Sequence, residues 1–322
     1  MNQPIAPTLQ LRRHGLQLAF FILFALAPVF DLLRYDLYAG HAWLLGFEWR
    51  LGLDDFLAGR IGAGSAAINV LTRLFLPLLA TAALFLWVAR RWGRLYCGWL
   101  CPHFSVVEII NSLMLRASGK PSLWEREPVP PWQADGSPRQ YSPGWWLLVV
   151  PAAIIFAFAW AVVFLTYLLP PAEVYGNLWQ GTPTRNQALF IGAFTTILSL
   201  EFLFARHLFC RYACAVGLFQ SLVWMGNRDA MVVGFQRSRG NDCNRCLPER
   251  QSACDMACPM RLNPRNIKRH MFTCTQCAQC LSACATSQRD NPGGPLLHWV
   301  KDAAARQNEA GFRPGKQDRT GD

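Results

Sequence analysis

Residues 145–169, WWLLVVPAAIIFAFAWAVVFLTYLL, contain no charged side chain and decide the class of fold. As an α-helix, this stretch of 25 residues reaches about 37 Å, which is more than the roughly 30 Å hydrocarbon core of a bilayer. It therefore predicts a transmembrane helix. The composition of the 322-residue chain agrees, because 52% of the residues are hydrophobic and 16% are charged, against roughly 25% charged in an ordinary soluble domain.

Three further apolar stretches, at about residues 14–33, 68–89 and 187–205, predict additional spans. The first begins next to Arg12 and Arg13 and lacks a clear small-residue cleavage site, so we interpret it as a retained anchor and not as a cleaved signal peptide. The sequence thus predicts an α-helical membrane protein with four transmembrane helices.

The basic residues predict how these helices are oriented. Of the 31 Lys and Arg residues, the N-terminal tail carries 2, residues 90–144 carry 7 and the chain from residue 206 onward carries 17, whereas the loops at 34–67 and 170–186 carry 3 and 1. The positive-inside bias then predicts that both termini and all 12 cysteines are cytoplasmic. The formal net charge of +11 follows from the same bias, so the predicted partner is the lipid bilayer and not nucleic acid.

An internal repeat lies within the predicted membrane region. Residues 95–101 (LYCGWLC) align with residues 208–214 (LFCRYAC), and each segment follows a predicted span. Each also precedes an apolar stretch, at 104–115 and 218–225, that is too short to cross a bilayer and suits an interfacial helix. Two parallel repeats, each ending in a C-x3-C motif and a short helix, are expected to bring their cysteine pairs together at the cytoplasmic face.

Eight cysteines crowd into residues 243–284 with the spacing of iron–sulfur ligands. The run C-x2-C-x2-C-x3-C at 274–284 matches the bacterial 4Fe–4S pattern, and the run at 243–258 has a longer middle gap. In two-cluster ferredoxins the fourth cysteine of each run binds the other cluster, whereas a structural zinc site would favour two separate C-x2-C knuckles. We therefore predict two 4Fe–4S clusters. The first is assigned Cys243, Cys246, Cys254 and Cys284, and the second Cys274, Cys277, Cys280 and Cys258.

The four membrane-edge cysteines are Cys97, Cys101, Cys210 and Cys214. Cysteines at i and i+4 of a regular helix have Cβ atoms about 5–6 Å apart, which is too far for a disulfide without local distortion. The four thiols together could bind a soft metal such as Cu(I), or cycle between thiol and disulfide where Pro102 interrupts the helix, and the alternative is that they are buried small hydrophobic residues.

Several other side chains are secondary candidates. His103 and His207 flank the cysteine pairs and are candidate ligands, with a backbone-bonded interfacial role as the alternative. Glu201 is a candidate as an intramembrane carboxylate, with pairing to a neighbouring arginine as the alternative. The interfacial tryptophans suit membrane anchors, and a quinone pocket among them stays open: Trp43, Trp49, Trp145 and Trp146.

Together these patterns predict the following organisation. The parts are a cytoplasmic tail (1–13), membrane repeat 1 (14–117), a cytoplasmic loop (118–144), membrane repeat 2 (145–229), a dicluster ferredoxin-like domain (230–300) and a disordered tail (301–322).

From about residue 14 to residue 300 the chain resembles the membrane polyferredoxin superfamily, which contains NapH, MauN, NosR and the CcoG/FixG/RdxA proteins. Residues 96–102 (YCGWLCP), 219–221 (FQS), 227–229 (NRD) and 293–296 (GGPL) resemble the CcoG group most. The resemblance implies a bacterial inner-membrane protein. A CcoG-like role implies reduction of Cu(II) during assembly of haem–copper oxidases, and a NapH-like role implies transfer of quinol electrons to a partner reductase.

The chain departs from these families in three respects. Ala215 stands where proline usually follows the second C-x3-C motif, which puts the geometry of that pair in question. The additional C-terminal span and Ig-like domain of CcoG proteins are missing, and so is the extracytoplasmic flavin-binding domain of NosR.

The sequence therefore predicts an electron-transfer protein in which the dicluster domain exchanges single electrons with the membrane-edge thiols. Copper at the thiols, a quinone, or a donor and an acceptor protein of unknown identity complete the predicted route. An assembly scaffold whose clusters only stabilise the fold is the alternative from another functional class.

Overall fold

The computed structural model describes residues 5–120, 123–124, 129, 132–246 and 252–310, and most of them are helical. The helices are α1 (Ile5–Leu26), α2 (Leu53–Leu57), α3 (Ala63–Trp92), α4 (Leu95–Trp99), α5 (Pro102–Ser118), α6 (Pro143–Thr166), α7 (Pro171–Gln180), α8 (Arg185–Ala205), α9 (Ala215–Met225), α10 (Ala253–Met256), α11 (Gln279–Ser287) and α12 (Asp302–Ala310). The strands are β1 (Leu33–Asp36), β2 (His41–Leu44), β3 (Phe47–Trp49), β4 (Val232–Phe235) and β5 (Leu297–Val300). They form two antiparallel sheets, β1-β2-β3 and β4-β5.

Three helices of the described chain are long and apolar enough to cross a membrane. They are α3, α6 and α8, with 30, 24 and 21 residues, and they contain most of the stretches predicted at 68–89, 145–169 and 187–205. Many of their apolar side chains are exposed: Leu78 by 60%, Leu147 by 80% and Ile197 by 63%. Apolar surface of this extent is unfavourable in water and suits lipid, so the prediction of a helical membrane protein is confirmed.

The predicted span at 14–33 corresponds only in part to α1, which ends at Leu26. Arg13 and Gln17 are buried in its first half, and both donate hydrogen bonds to the carbonyl oxygen of Gly98 at 3.2 Å. Because these polar groups have protein partners, this half of α1 packs against protein. Residues 5–13, predicted as part of a tail, are helical, and the four-span arrangement stays a prediction.

The chain forms two compact units. The apolar unit comprises Phe20–Leu86 and Val150–Leu203 and contains the β1-β2-β3 sheet. Within it, the backbone N–H of Tyr35 donates to the carbonyl of Tyr167 at 2.9 Å, which joins β1 to the end of α6. The helix α8 begins with a capping box in which Thr184 and Gln187 satisfy each other's backbone N–H groups.

The cysteine unit comprises Met1–Ala19, Trp87–Val149 and Phe204–Asp322, and it contains all 12 cysteines. In the two-stranded β4-β5 sheet, Val232 pairs with Val300. Trp224 of α9 is fully buried in the same hydrophobic core. That core also includes Cys254, Cys280 and Cys284. Part of the predicted loop at 118–144 lies outside the described residues.

The prediction of a disordered tail from residue 301 is wrong for residues 302–310, which form α12. Ala305 is buried in the core of the cysteine unit, and the side-chain oxygen of Asn308 accepts a hydrogen bond from the backbone of Phe235 at 3.3 Å. The polar composition of residues 302–310 did not indicate this helix. It packs beside β4 with only one small apolar face. Residues 311–322 lie outside the described residues.

Candidate metal centres

The cysteines of the first predicted quartet are buried or half-buried, and several of them are close enough to influence one another. Burial raises the pKa of the Cys254 thiol well above its ordinary value, and the neighbouring Cys284 and Cys246 thiols raise it further. Burial also raises the pKa of Cys243, and Cys284 and Cys246 again lie close enough to contribute. These effects agree with the predicted quartet, which stays a prediction, and anionic thiolates gathered there would need a cation to be stable.

The cysteines of the second predicted quartet also influence one another. Burial raises the pKa of Cys274 to about 12, and the Cys258 and Cys277 thiols lie close enough to raise it further. Burial raises the pKa of Cys280 well above its ordinary value. The Cys277, Cys274 and Cys258 thiols raise it further, and Cys254 of the first quartet has a smaller effect in the same direction. Cys280 and Cys284 occupy successive turns of α11 and belong to different quartets, which agrees with the predicted exchange of ligands.

The loop of the second quartet has an unusual backbone. Gln276 and Ala278 adopt left-handed conformations with φ of 54° and 59°, although neither is glycine. Alternating right- and left-handed residues turn successive N–H groups toward one side and form an anion-binding concavity. The N–H groups of Gln276 and Gln279 accordingly lie against the sulfurs of Cys274 and Cys277. A ring of donors of this kind suits a negatively charged sulfur cluster.

The membrane-edge cysteines lie at two similar chain breaks. Cys97 is in the short helix α4, and Cys101 is the N-cap residue of α5 with an extended backbone. Cys210 is in a turn of π-helix (Phe209–Ala213), and Cys214 is the N-cap residue of α9. Neither pair lies in one regular helix, because each second cysteine caps the helix that follows, where the helix dipole favours an anion.

The thiols of the two repeats approach one another. Burial raises the pKa of Cys101 to about 12, Cys97 and Cys214 are close enough to raise it further, and the backbone N–H groups of Phe104 and His103 lower it. Burial likewise raises the pKa of Cys97, which Cys214 also affects. Cys97, Cys101 and Cys214 therefore lie close enough for their charges to interact, and the convergence of all four thiols stays a prediction.

Arg94 is a buried cation at this thiol site. Its side chain is 1% exposed, and its Nη2 donates a hydrogen bond to the carbonyl oxygen of Cys210 at 2.7 Å. Its charge opposes the rise in the pKa of Cys97. Among the described residues, Arg94 Nε and Nη1 and Gln220 Nε2 have no hydrogen-bond partner, although Gln220 Oε1 accepts from Cys97 at 3.5 Å. Buried donors without acceptors are costly, so this site fits an anionic centre.

The thiol site is packed against the second quartet. Phe104, Cys210 and Met260 form a small buried cluster, and Cys101 and Cys258 both pack against it. At Gly98, an added Cβ would lie 2.3 Å from the carbonyl oxygen of Thr275, so only glycine permits this approach. The first C-x3-C segment therefore lies directly on the loop that carries the second quartet.

A charged network surrounds the same contact. Glu108 of α5 pairs with Arg13 of α1 and accepts hydrogen bonds from Gln17 and Gln279. Burial would by itself raise the pKa of Glu108, but the hydrogen bonds from His14, Arg13 and Gln17 and the charge of Arg13 lower it to about 2. The carboxylate is therefore ionised and balanced at neutral pH.

The donor sets fit iron–sulfur clusters better than a single ion. Among the described residues, no group of three or more His, Cys, Asp or Glu side chains is close enough to hold one metal ion. In a 4Fe–4S cluster each thiolate binds a different iron, so the four sulfurs stand farther apart than the ligands of one ion. We expect the eight tail cysteines to hold clusters of this kind, and the backbone N–H groups of Gln276 and Gln279 are directed at the sulfurs of Cys274 and Cys277.

The secondary candidates have different surroundings. The ring of His103 packs on Phe209 with centroids 5.4 Å apart, and the buried ring of His207 packs on Phe104 at 5.1 Å. Glu201 lies in the apolar unit, near the end of the third candidate span. Their predicted roles as ligands or functional groups stay predictions.

Sequence reasoning missed Arg94, Gln220 and Glu108 as parts of the site. Arg94 follows Arg90 and Arg91, and the sequence reasoning considered it as a positive-inside charge and, beside Arg206, as a possible partner of Glu201. Arg94 lies three residues before Cys97, on the same face of a helical turn, and this spacing could have indicated a role at the thiol site. No pattern in the sequence indicates the left-handed backbone at Gln276 and Ala278.

Comparison with known proteins supports the chemistry suggested by this geometry. A family model described as "4Fe-4S binding domain" matches residues 72–121 and 186–229. These segments contain the four membrane-edge cysteines and end before the tail quartets. No solved structure matches the chain.

Proteins with similar sequences include the three described next. An uncharacterised protein of Methanocaldococcus jannaschii is 24% identical over 60% of this chain and 69% of its own length. The regulatory protein NosR of Stutzerimonas stutzeri is 22% identical over 84% of this chain and 31% of NosR. The putative electron transport protein YccM of Escherichia coli is 25% identical over 65% of this chain and 55% of YccM. The chain thus matches only part of the two named relatives.

The fold and the cysteine sites define the class: an iron–sulfur membrane protein of electron transport. The NosR and YccM relatives support a membrane polyferredoxin-like family within that class.

Proposed function

We propose that this chain relays single electrons between two 4Fe–4S clusters, held by the tail quartets, and the four membrane-edge thiols. The observation that carries the proposal is the packing of Cys258 and Cys101 against the buried cluster of Phe104, Cys210 and Met260. This packing places one cysteine of the second quartet and one of the thiol site against the same three buried side chains.

The residues of the relay have separate proposed roles. The eight tail cysteines hold the clusters, which supply one-electron chemistry when bound. The Arg94 guanidinium compensates negative charge at the thiols, and the N-cap positions of Cys101 and Cys214 add the favourable field of two helix N-termini. The carboxylate of Glu108 fixes α5 to α1 through Arg13, which holds Gly98 against the second quartet.

The proposed substrate at the thiol site is Cu(II). One electron from the relay converts Cu(II) to Cu(I), and this step requires no proton. Thiolates are soft ligands that prefer Cu(I), so the site would retain the product until it is handed on. In agreement with the CcoG resemblance, the product would serve assembly of a haem–copper oxidase, with the termini and clusters on the cytoplasmic side of a bacterial inner membrane.

A second candidate is transfer of electrons between quinol and a partner reductase. The observation that favours it is the similarity to NosR and to the putative electron transport protein YccM. On this second function, reoxidation of the clusters by copper would not depend on the membrane-edge thiols. An assembly scaffold differs from both functions because structural clusters need not change oxidation state.

The test uses detergent-purified protein under anaerobic conditions. The clusters are reduced with dithionite, excess reductant is removed, Cu(II) is added and the absorbance near 400 nm is followed. We expect rapid recovery in the native protein and loss of that recovery in the Cys97→Ala/Cys210→Ala double variant. Ile109→Ala, at an exposed position of α5, is the control, and iron and sulfide are assayed in every sample.

The outcomes separate the three functions. Loss of copper-dependent recovery with full iron content supports copper reduction through the thiols. Equal recovery in the double variant moves the function to quinol or a partner reductase. Clusters that cannot be reduced at all would support the scaffold and contradict the relay.

A further inference from the structure

A separate cavity of about 460 Å³ lies within the cysteine unit. It is lined by α5, by residues 205–208 after the third candidate span, and by the loop of residues 256–261. Cys258, a proposed ligand of the second cluster, forms part of its wall. This volume is in the range of ligand-binding pockets.

The charged lining of the cavity is mainly cationic. Four arginines line it among the described residues: Arg139, Arg206, Arg211 and Arg261. Glu108 is the one acidic residue in the described lining, and Arg13 balances its charge. The field inside the cavity is therefore positive, and guanidinium groups bind phosphate oxygens with particularly good geometry.

A buried histidine is available inside this positive cavity. His207 is 8% exposed, and neither Nδ1 nor Nε2 has a hydrogen-bond partner among the described residues. Burial, with contributions from Arg206 and Arg261, lowers the pKa of His207 to about 3, although Glu108 opposes the shift. The ring is thus neutral and offers one N–H donor and one acceptor nitrogen. Arg139 Nε and Arg211 Nε are also buried without a hydrogen-bond partner in the described chain.

We propose that this cavity binds a phosphate ester that carries a hydroxyl group. The arginines bind the phosphate oxygens, the N–H of His207 donates to the same group or its ester oxygen, and the other ring nitrogen accepts from the hydroxyl. A hydroxylated phospholipid head group and a small soluble phosphate ester share this chemistry. The position of His207, two residues after the end of the third candidate span, favours the lipid.

The position of the ligand also couples it to the proposed relay. An anion beside Cys258 disfavours addition of an electron to the second cluster, so binding should lower the reduction potential of that cluster. This consequence rests on the proposed function, whereas binding itself does not. Binding is therefore measured on oxidised protein, where no electron transfer occurs.

The test is calorimetric titration of the full chain, purified in dodecyl maltoside and freed of lipid. The probes are dihexanoyl-phosphatidylglycerol, glycerol phosphate and dihexanoyl-phosphatidylpropanol, which has the same charge as phosphatidylglycerol but no hydroxyl in its head group. We expect the phosphatidylglycerol probe to bind, and the Arg139→Ala/Arg211→Ala double variant to bind it at least tenfold more weakly. Arg289→Ala, at an exposed arginine outside the cavity, is the matched control.

Each outcome decides a part of the proposal. Binding of the lipid probe but not of glycerol phosphate supports the lipid source, and binding of both supports a soluble ester. Tenfold weaker binding of the phosphatidylpropanol probe supports the role of His207, and equal binding overturns that role. Failure of both hydroxylated probes to bind, or native affinity in a double variant with full iron content, overturns the site.

Discussion

The two repeats of this chain place different residues at matching positions, and the main difference is one of charge. Aligning Cys97 with Cys210 pairs Arg94 with His207. Arg94 lies against Gly217, where an added Cβ would be 2.1 Å from its Nη2, and His207 packs on Phe104. Phe104 and Gly217 are matching positions of the same alignment. Each repeat therefore makes the equivalent contact with the other, but one contact carries a cation and the other a neutral ring.

A repeated motif therefore need not give two equivalent sites. The cation lies beside the first thiol pair, whereas His207 borders the cavity lined by arginines. Glycine at position 98 allows the first repeat to contact the cluster loop, and its counterpart in the second repeat is Arg211. On the proposed function, the first repeat serves the electron route, and the second borders the cavity proposed to bind a phosphate ester.

The largest expected effect is that of Gly98→Ala. Its Cβ would meet backbone atoms of Thr275 and Cys277, which cannot move without displacing the loop of the second quartet. Overpacking ordinarily costs about 1–3 kcal/mol, and a rigid contact belongs at the upper end. We expect roughly half of the iron to be lost, measured by iron and sulfide analysis. Gly192→Ala, where an added Cβ meets nothing within 4 Å, should keep its iron, and equal losses would contradict the close approach.

The next effect concerns Glu108, which matches the buried Ser221 of the second repeat. Its folded-state pKa of about 2 is below the ordinary value of 4.5, so its contribution is complete above pH 4.5 and is lost as the pH falls toward 2. This contribution is about 3 kcal/mol. Glu108→Gln should lower the unfolding temperature at pH 7 and flatten its dependence on pH between 4.5 and 2. Asp290→Asn, at a highly exposed carboxylate, is the control, and an unchanged pH profile for Glu108→Gln would refute the assignment.

A smaller effect is expected for Arg94→Met, which keeps the length of the side chain but removes its charge. Without the cation, negative charge at the thiols is uncompensated, and we expect copper-dependent reoxidation of the clusters to slow about tenfold, or about 1.4 kcal/mol. Stopped-flow absorbance near 400 nm measures the rate. Arg289→Met is the control for loss of an arginine, and a native rate for Arg94→Met at full iron content would show that this charge does not act on the thiols.

The smallest effect compares the starts of the second spans of the two repeats. Helix α8 has the Thr184 capping box, whereas α3 begins after Gly62 without a side-chain cap. Thr184→Ala should cost about 1 kcal/mol of unfolding free energy, and Thr184→Gly, which gives α8 the same N-cap residue as α3, only a few tenths. Thermal unfolding of both variants in the same detergent measures the difference. Equal costs would mean that packing, and not capping, determines where α8 begins.

Much of the fold could be predicted from the sequence, whereas the grouping of the cysteines stays a prediction. Residues 145–169 predict a span by length and lack of charge, and the spacing of Cys274 to Cys284 predicts which thiols share a quartet. The sequence did not predict the role of Arg94, because a buried arginine and a surface arginine have the same local pattern until tertiary contacts form. It also failed for α12, where a short apolar face lies within a polar stretch.

The position of Cys280 and Cys284 on successive turns of α11 has a consequence for the assembly of the protein. Because one short helix supplies a ligand to each quartet, filling either quartet fixes the orientation of the helix and so preorganises the other. Loading should therefore be cooperative, and species with one cluster should be scarce during reconstitution. A break in α11 would remove both clusters together, even though each retains three ligands elsewhere in the chain.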